Sequence, residues 1–418
     1  MDIEIRKSLK HNITVNLLDG GFFGFALGFA SFVTVIPLFV STMTDSAILI
    51  GLIPAIHTVG WQFPQLFTAQ KVSKLVRFKP MVMTLTIQER LPFLGLAIVA
   101  WFAPSIGIKS ALVLTFLMLT WQGLGAGFAA NAWQSMIGKI IPAESRGTFY
   151  GSQSAIANLL ASISAVVAGS ILENLFSPLN FTICFLLAFA AMGISWISLG
   201  FTREPPLILE EASLEESDFR KKIGLILHND PNFRSFLVVR MVSQLGVMGF
   251  AFYTVYAVQE LGMSKMNVGI LTAVLMATQI IANPVMGWAG DRWSHRRIME
   301  LGLISAALSA FFAWIAPTPG WFFLVVVFAG IANVAIWTIG LAMVQEFGGL
   351  SDRPAYIGLA NTLVAPFTIL APFIGGWLAD TFGYSSAFIA SAIFGLITAG
   401  LLHWKVKEQR SGLRLDTI

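Results

Sequence analysis

Four charged residues stand where the sequence around them is apolar on both sides: Asp19, Glu89, Arg90 and Arg240. A charge at mid-helix in a bilayer costs about 2.5–3.5 kcal/mol on insertion scales, so such residues pair, face a cavity or carry function. The sharpest case is Thr86 to Phe93, "TIQERLPF", where a carboxylate adjoins a guanidinium between "MVMTL" and "LGLAIVAWF". Helix neighbours at i and i+1 do not face each other. Positions three and four away hold only Leu85, Thr86, Ile87, Pro92, Phe93 and Leu94. Neither charge is therefore expected to find an ionic partner on its own helix. Each must reach another helix or a cavity, and Pro92 is available to kink the span. At 1.5 Å per residue, Glu89 lies roughly 14 Å, and Asp19 and Arg240 roughly 9–10 Å, inside the basic ends of their spans. A titratable carboxylate beside a fixed cation is the chemistry of charge relay. Asp19, Glu89, Arg90 and Arg240 are the candidates, with Asp19 and Arg240 expected to meet across a cavity and close one side of it. A structural tie between helices is the other reading of Glu89 and Arg90.

The elements that position these residues follow from composition. Of 418 residues, 56% are hydrophobic and 11% charged, and the mean hydropathy is +0.76; soluble domains carry roughly 25% charge. Apolar runs long enough to span a bilayer fall near 14–40, 47–70, 80–103, 109–138, 147–172, 179–201, 233–259, 266–290, 297–316, 321–346, 355–380 and 385–405. They do not alternate as transmembrane strands would, so the fold class is an all-α polytopic membrane protein with twelve transmembrane helices. The first run has no small-residue cleavage pattern and reads as a span. No P-loop and no H-E-x-x-H occurs, which argues against an enzyme. Cys184 is the single cysteine. No metal-ligand spacing is present and no cofactor is expected; His57 is a scattered apolar-run histidine, and His295 is expected to be a solvated base. The triplets at Asn12 and Asn180 that match a glycosylation site decide nothing.

Orientation follows from the basic residues. Of 26 lysines and arginines, 22 fall in one set of loops and ends, two (Lys109, Lys265) in the opposite set, and Arg90 and Arg240 inside spans. Both termini are expected to be cytoplasmic. The sequence pI near 9.2 is an orientation signal rather than a nucleic-acid footprint.

The chain also repeats itself. A shift of 207 lays Arg353 on Arg146, Gly358 on Gly151, Gly376 on Gly169 and Asp380 on Glu173; a shift near 220 lays Pro284 on Pro64 and Arg297 on Arg77. The expected domains are a six-helix bundle over 1–201, a polar cytoplasmic linker over 202–232, a second six-helix bundle over 233–405 and a tail over 406–418.

One loop carries a recognisable pattern. "GWAGDRWSHRRIM", 287–299, offers Gly287 and Gly290 for close helix approach. Asp291 is placed to pair with a cation or cap a helix, and Arg292, Arg296 and Arg297 sit on the wet, anionic-lipid side. It resembles the G-x-x-x-D-R-x-x-x-R-R loop of the major facilitator superfamily. "PAESRGTFYGSQ", with Arg146 and Gly151, is similar to that family's R-G-x-x-x-G segment at span five, and Arg353 and Gly358 repeat it. "APFIGGWLAD" (371–380) and "WQGLGAG" (121–127) resemble its span-eleven and span-four signatures. The resemblance covers 14–405 and implies two pseudo-symmetric bundles rocking about a midplane site. Departures accompany it: Lys71 replaces the first-half aspartate, Leu119 stands where an arginine is frequent, and the span-five antiporter motif is absent from "ISAVVAGSIL".

The resemblance makes spans one, four, seven and ten the cavity wall. The candidates there are Asn16, Gln122, Asn131, Trp133, Gln134, Gln244, Tyr253, Asn333 and Trp337, with interhelical hydrogen bonding as the alternative role for each amide. It implies a secondary transporter for a small organic solute, proton-coupled, with efflux favoured, acting as a monomer in the lipid bilayer and without nucleic acid. A lipid translocase on the same fold, or a non-transporting receptor, is the competing expectation.

Overall fold

The computed structural model describes residues 2–206, 219–349 and 352–408. The acidic part of the expected linker (207–218) and the tail from 409, with Arg410 and Arg414, lie outside the described residues. The helices are α1 (Asp2–Phe29), α2 (Val35–Ser41), α3 (Ala47–Gln62), α4 (Gln65–Ser73), α5 (Lys79–Ile106), α6 (Ile108–Ile140), α7 (Arg146–Asn174), α8 (Leu179–Gly200) and α9 (Phe219–Asn229). They continue as α10 (Pro231–Gly246), α11 (Tyr253–Gln259), α12 (Lys265–Arg292), α13 (His295–Ile315), α14 (Phe322–Val334), α15 (Gly340–Val344), α16 (Arg353–Thr362), α17 (Ala365–Phe382) and α18 (Tyr384–Lys405).

Ten segments among the described residues are long and apolar enough to cross a membrane; two of them are interrupted, between α10 and α11 and between α16 and α17. The other two expected spans are broken as well. In 14–40, the Ser31 hydroxyl accepts from Val33 and Thr34 N–H, each at 3.2 Å, and ends α1 before α2 begins. Such a local side-chain bond competes with the helix ladder. In 47–70, Pro64 has no N–H for the Gly60 carbonyl, and the chain passes from α3 to α4 there. Elsewhere the local signals are orthodox. Asp230 accepts from Phe233 N–H at 2.8 Å with Pro231 behind it to start α10, and Ser294 starts α13 by accepting from Arg297 N–H at 3.2 Å. Gly107, at φ 84°, turns α5 into α6.

The chain packs as two compact units. Unit 1 takes in the described residues of Met1–Pro142, Ile156–Ser213 and Leu350–Thr362; unit 2 those of Ala143–Ala155, Leu214–Gly349 and Leu363–Ile418. Unit 1 is cored by Phe93, Phe181, Phe185 and Phe39 with Leu119 and Cys184. Unit 2 is cored by Tyr253, Phe322 and Phe388, with Val325 and Leu271.

Both units hold helices at backbone distance. In unit 2, a Cβ on Gly287 would lie 2.1 Å from the Gly147 carbonyl oxygen, and one on Gly151 2.2 Å from that of Asn283. In unit 1, a Cβ on Gly24 would lie 2.3 Å from the Ala157 oxygen, and one on Gly358 2.9 Å from Leu66 Cα. Nothing but a hydrogen fits, which is how membrane helices gain contact without a hydrophobic driving force. Gly151→Val should therefore lower stability by about 1–3 kcal/mol, read as the melting midpoint of the detergent-solubilised protein. Gly169→Ala, which faces open space on the same helix, should not lower it.

Candidate functional site

In unit 1 the buried charges come together. Arg90 on α5 places Nη2 3.4 Å from Asp19 Oδ1 on α1 and donates to Ser195 Oγ on α8 at 3.0 Å. Ser195 in turn donates to Asp19 Oδ1 at 2.6 Å. Nη1 lies 3.5 Å from Glu89 Oε2 and donates to the Thr86 carbonyl at 3.2 Å, and Nε donates to the Met192 carbonyl at 3.3 Å. The Phe23 ring lies 5.9 Å from the guanidinium carbon, within cation–π range. Asp19, Glu89, Arg90 and Ser195 are all buried.

One expectation is corrected here. Glu89 and Arg90 do meet on their own helix. The Cβ rule for i and i+1 does not bind a side chain as long as arginine, which folds back along the helix to the Thr86 carbonyl and brings Nη1 level with Glu89. Within unit 1, Asp19 has Arg90 as its cation, because α1 and α5 both pack on α8. Arg240 is buried in unit 2, where its carbonyl accepts from Ser243 Oγ at 2.7 Å.

In unit 2 the Gly287 loop gives Asp291 the capping role. Its Oδ1 accepts from Gly147 N–H at 2.8 Å and its Oδ2 from Thr148 N–H, so a carboxylate from α12 sits on the N-terminus of α7. The close approach of Gly287 to Gly147 makes that reach possible. His295 is not solvated: it is 1% exposed, with Nε2 3.3 Å from Asp291 Oδ1 and Nδ1 2.6 Å from Glu346 Oε1. It lies one residue past the Ser294 cap, where the first turn of α13 faces inward. Arg296 is half-buried and donates to the Leu402 and His403 carbonyls at the end of α18, while Arg297 is exposed. Arg292 lies over Trp288, 5.6 Å from the ring centroid. Arg146 donates to the Gln345 carbonyl at 3.3 Å.

Unit 1 contains the repeat counterpart. Arg353 donates to the Gly138 carbonyl at 2.9 Å, and Gly358 seats α16 on α4. Where unit 2 has charge, unit 1 has amides. Gln65 Oε1 accepts from Asn361 at 2.7 Å and Gln134 at 3.1 Å, and Asn131 donates to the Gln65 and Pro354 carbonyls at 3.0 and 2.8 Å. Asn131 and Gln134, expected on a cavity wall, are thus fully engaged between helices.

The remaining candidates divide. Asn16 donates to the Asn12 carbonyl and Thr202 Oγ1. Tyr253 is a core residue, its hydroxyl 3.0 Å from Ser309 Oγ; the polar tip that suggested a cavity is satisfied inside unit 2. Gln244 lies 3.5 Å from Thr368 Oγ1. Trp133, Asn333 and Trp337 are half-buried, Trp337 within a π-helical turn at 335–339. Gln122 bonds His57, at 3.0 Å.

Ser195, Gln65, Glu346 and Glu204 carry much of this geometry and were not singled out from sequence. Glu204 is the least expected. Its carboxylate accepts from the Phe78 and Lys79 N–H groups at 2.9 and 2.8 Å and from Lys139 Nζ at 2.8 Å. The start of the supposed solvated linker is therefore built into unit 1. An acid immediately before Pro205-Pro206 was the available signal.

Replacing Arg90 should cost more than replacing either acid. Arg90→Met strands two buried carboxylates and should destabilise by roughly 3–5 kcal/mol; Asp19→Asn keeps a hydrogen-bonding group beside Ser195 and should cost less in the same melting assay. Asp291→Ala should cost about 0.5–2 kcal/mol and reduce hydrogen-exchange protection at the start of α7.

Comparison with known proteins places this geometry. Residues 236–415 match the family model described as Major Facilitator Superfamily. Among curated proteins, the chain is similar to Multidrug resistance protein 1 of Bacillus subtilis (strain 168), 28% identical over 149 residues, 36% of this chain and 38% of that protein; the match spans little more than a third of the relative's length. Among solved structures, the E. coli fucose:proton symporter FucP superposes with TM-score 0.73 at 13% identity, covering 94% of this chain and 98% of that one. The proton:xylose symporter XylE superposes with TM-score 0.74 at 15% identity, covering 96% and 97%. Residues 236–415 match that superfamily's model, and the chain as a whole has the fold of these solved transporters.

Proposed function

We propose that the chain is a multi-pass membrane transporter that moves a small organic solute by alternating access, coupled to protons through Asp19, Glu89 and Arg90. The observation that carries the reading is the stoichiometry of the unit 1 cluster. One guanidinium stands between two buried carboxylates, at 3.4 and 3.5 Å. Either acid then has a place for a proton without leaving Arg90 unpaired, which is the requirement for a coupling group inside a membrane. Ser195, bonded to both Asp19 and Arg90, ties the state of that cluster to α8. The Asp291 cap on α7 and the Arg146 and Arg353 contacts are the joints that such a cycle has to break and remake.

Efflux is the direction favoured by similarity to the Bacillus subtilis multidrug resistance protein. The basic-residue bias supports a cytoplasmic side for both termini. The chain works as a monomer, with the bilayer as its solvent.

The test is counterflow in proteoliposomes across a panel of metabolites and amphiphilic drugs, with and without a pH gradient. At least one solute should exchange, faster under the gradient. Glu89→Gln should abolish the gradient-dependent part while leaving exchange without a gradient. Binding that never leads to exchange would replace the transporter reading with a receptor. Gradient-driven transport unchanged in both Glu89→Gln and Asp19→Asn would remove the cluster from the coupling role.

A further inference from the structure

In unit 1, α3 and α6 touch at backbone distance where Gly60 meets Gly123 and Gly127; a Cβ on Gly127 would lie 2.2 Å from the Gly60 oxygen. Beside that crossing, His57 Nδ1 lies 3.0 Å from Gln122 Oε1. The imidazole is stacked on Phe32, with centroids 4.0 Å apart and planes 18° from parallel. Ring and amide are therefore held from both sides, by the stack and by the glycine crossing.

What they do not have is a full set of partners. Gln122 is 1% exposed, and its Nε2 has no acceptor. Among the described residues, the bond between them is the one hydrogen bond that either side chain makes, so His57 Nε2 is unengaged too. A buried amide N–H left unpaired costs about 1–3 kcal/mol.

Which hydrogen sits where is a matter of tautomer and amide orientation, and both arrangements lead to the same place. If His57 Nδ1–H donates to Gln122 Oε1, a donor is left on Gln122 and a lone pair on His57 Nε2. If the amide is turned over and donates to Nδ1, an acceptor is left on Gln122 and an N–H on His57. Each case leaves an unmet donor on one side chain and an unmet acceptor on the other, with the free imidazole nitrogen facing away from the amide.

We propose that His57 and Gln122 form a binding subsite for a neutral hydroxyl-bearing solute. A hydroxyl both donates and accepts, so a solute with two or more hydroxyls set apart along its carbon chain satisfies both unmet positions in either arrangement. A carboxylate only accepts and an ammonium only donates; each leaves one position unpaired, and a site built for a hydroxyl rejects what cannot complete it. The subsite deepens the transport reading, on which it rests for the solute's route, by naming the class of solute.

The experiment uses the full chain, purified in detergent. Glycerol, D-mannitol and D-glucose are titrated as hydroxylated probes, propionate as an acceptor-only probe and propylammonium as a donor-only one, with the melting midpoint as readout. At least one hydroxylated probe should raise the midpoint saturably. Gln122→Met, which keeps the side chain's length, and His57→Phe, which keeps the stack, should each weaken that binding at least about tenfold. Gln88→Leu, which removes the exposed bond from Trp121 Nε1 to Gln88 Oε1 between α5 and α6, should not. No saturation by any hydroxylated probe, equal binding by Gln122→Met, or equal binding of propionate or propylammonium overturns the subsite. Counterflow on the same preparations separates the two readings. Exchange of a polyol unchanged in Gln122→Met sinks the subsite and leaves transport standing; saturable polyol binding without exchange sinks transport and leaves the subsite.

Discussion

Two helix backbones can touch only where neither has a Cβ in the way, and this constraint sits under most of what the chain does. Gly147 and Gly287 let α7 and α12 approach until a carboxylate four residues beyond Gly287 reaches the first free N–H groups of α7. Move those backbones apart by a methyl group and Asp291 no longer spans the gap. The same logic governs unit 1 at Gly358 and α4, and again at Gly24 and α7. In a solvent as apolar as the side chains themselves, closeness is the main source of attraction available, and the polar contacts are placed where closeness has been arranged.

The internal repeat is preserved in geometry and altered in chemistry. Arg146 and Arg353 are 207 positions apart, and so are the carbonyls they reach, Gln345 and Gly138. Position 346 in unit 2 is Glu346, bonded to His295; its counterpart in unit 1 is Lys139, bonded to Glu204. A shift of 220 from Asp291 gives Lys71, so unit 1 has no carboxylate at that repeat position, and uncharged amides around Gln65 join its helices. The backbone half of the design survived duplication and the electrostatic half diverged. Each post-helix glutamate kept its place: Glu204 follows α8 and closes on the start of α5, and Glu408 follows α18 and bonds the Ser294 cap of α13.

The fold class was legible because spans, basic loops and repeat spacing are one-dimensional signals. The breaks at Ser31 and Pro64 were harder to see, since hydropathy averages over them. Pairings were less legible still. Nothing in the pattern around Asp19 pointed to Arg90 on α5 or Ser195 on α8, its partners within unit 1. The rule that adjacent helix residues diverge describes Cβ directions and fails for an arginine folded back on its own turn. His295 lies in a basic loop by sequence and is buried by one turn of helix. Of the cavity candidates, Asn131 and Gln134 turned out to be joints between helices, whereas Gln122 kept an unmet donor. No pattern of residue types distinguishes those outcomes; only the packing does.

The Lys139–Glu204 pair has a consequence in time as well as space. Topology is decided while helices are being threaded, and at that stage lysines count heavily and acids hardly at all. Lys139 then acts as a full positive charge, because Glu204 emerges two helices later in the chain. Once unit 1 has packed, the same ammonium is buried on that carboxylate, on the Val76 carbonyl and over the Phe78 ring, and it presents nothing to anionic lipid. One side chain thus serves first as an address and afterwards as a fastening, and the second role hides from the lipid the charge that the first one required.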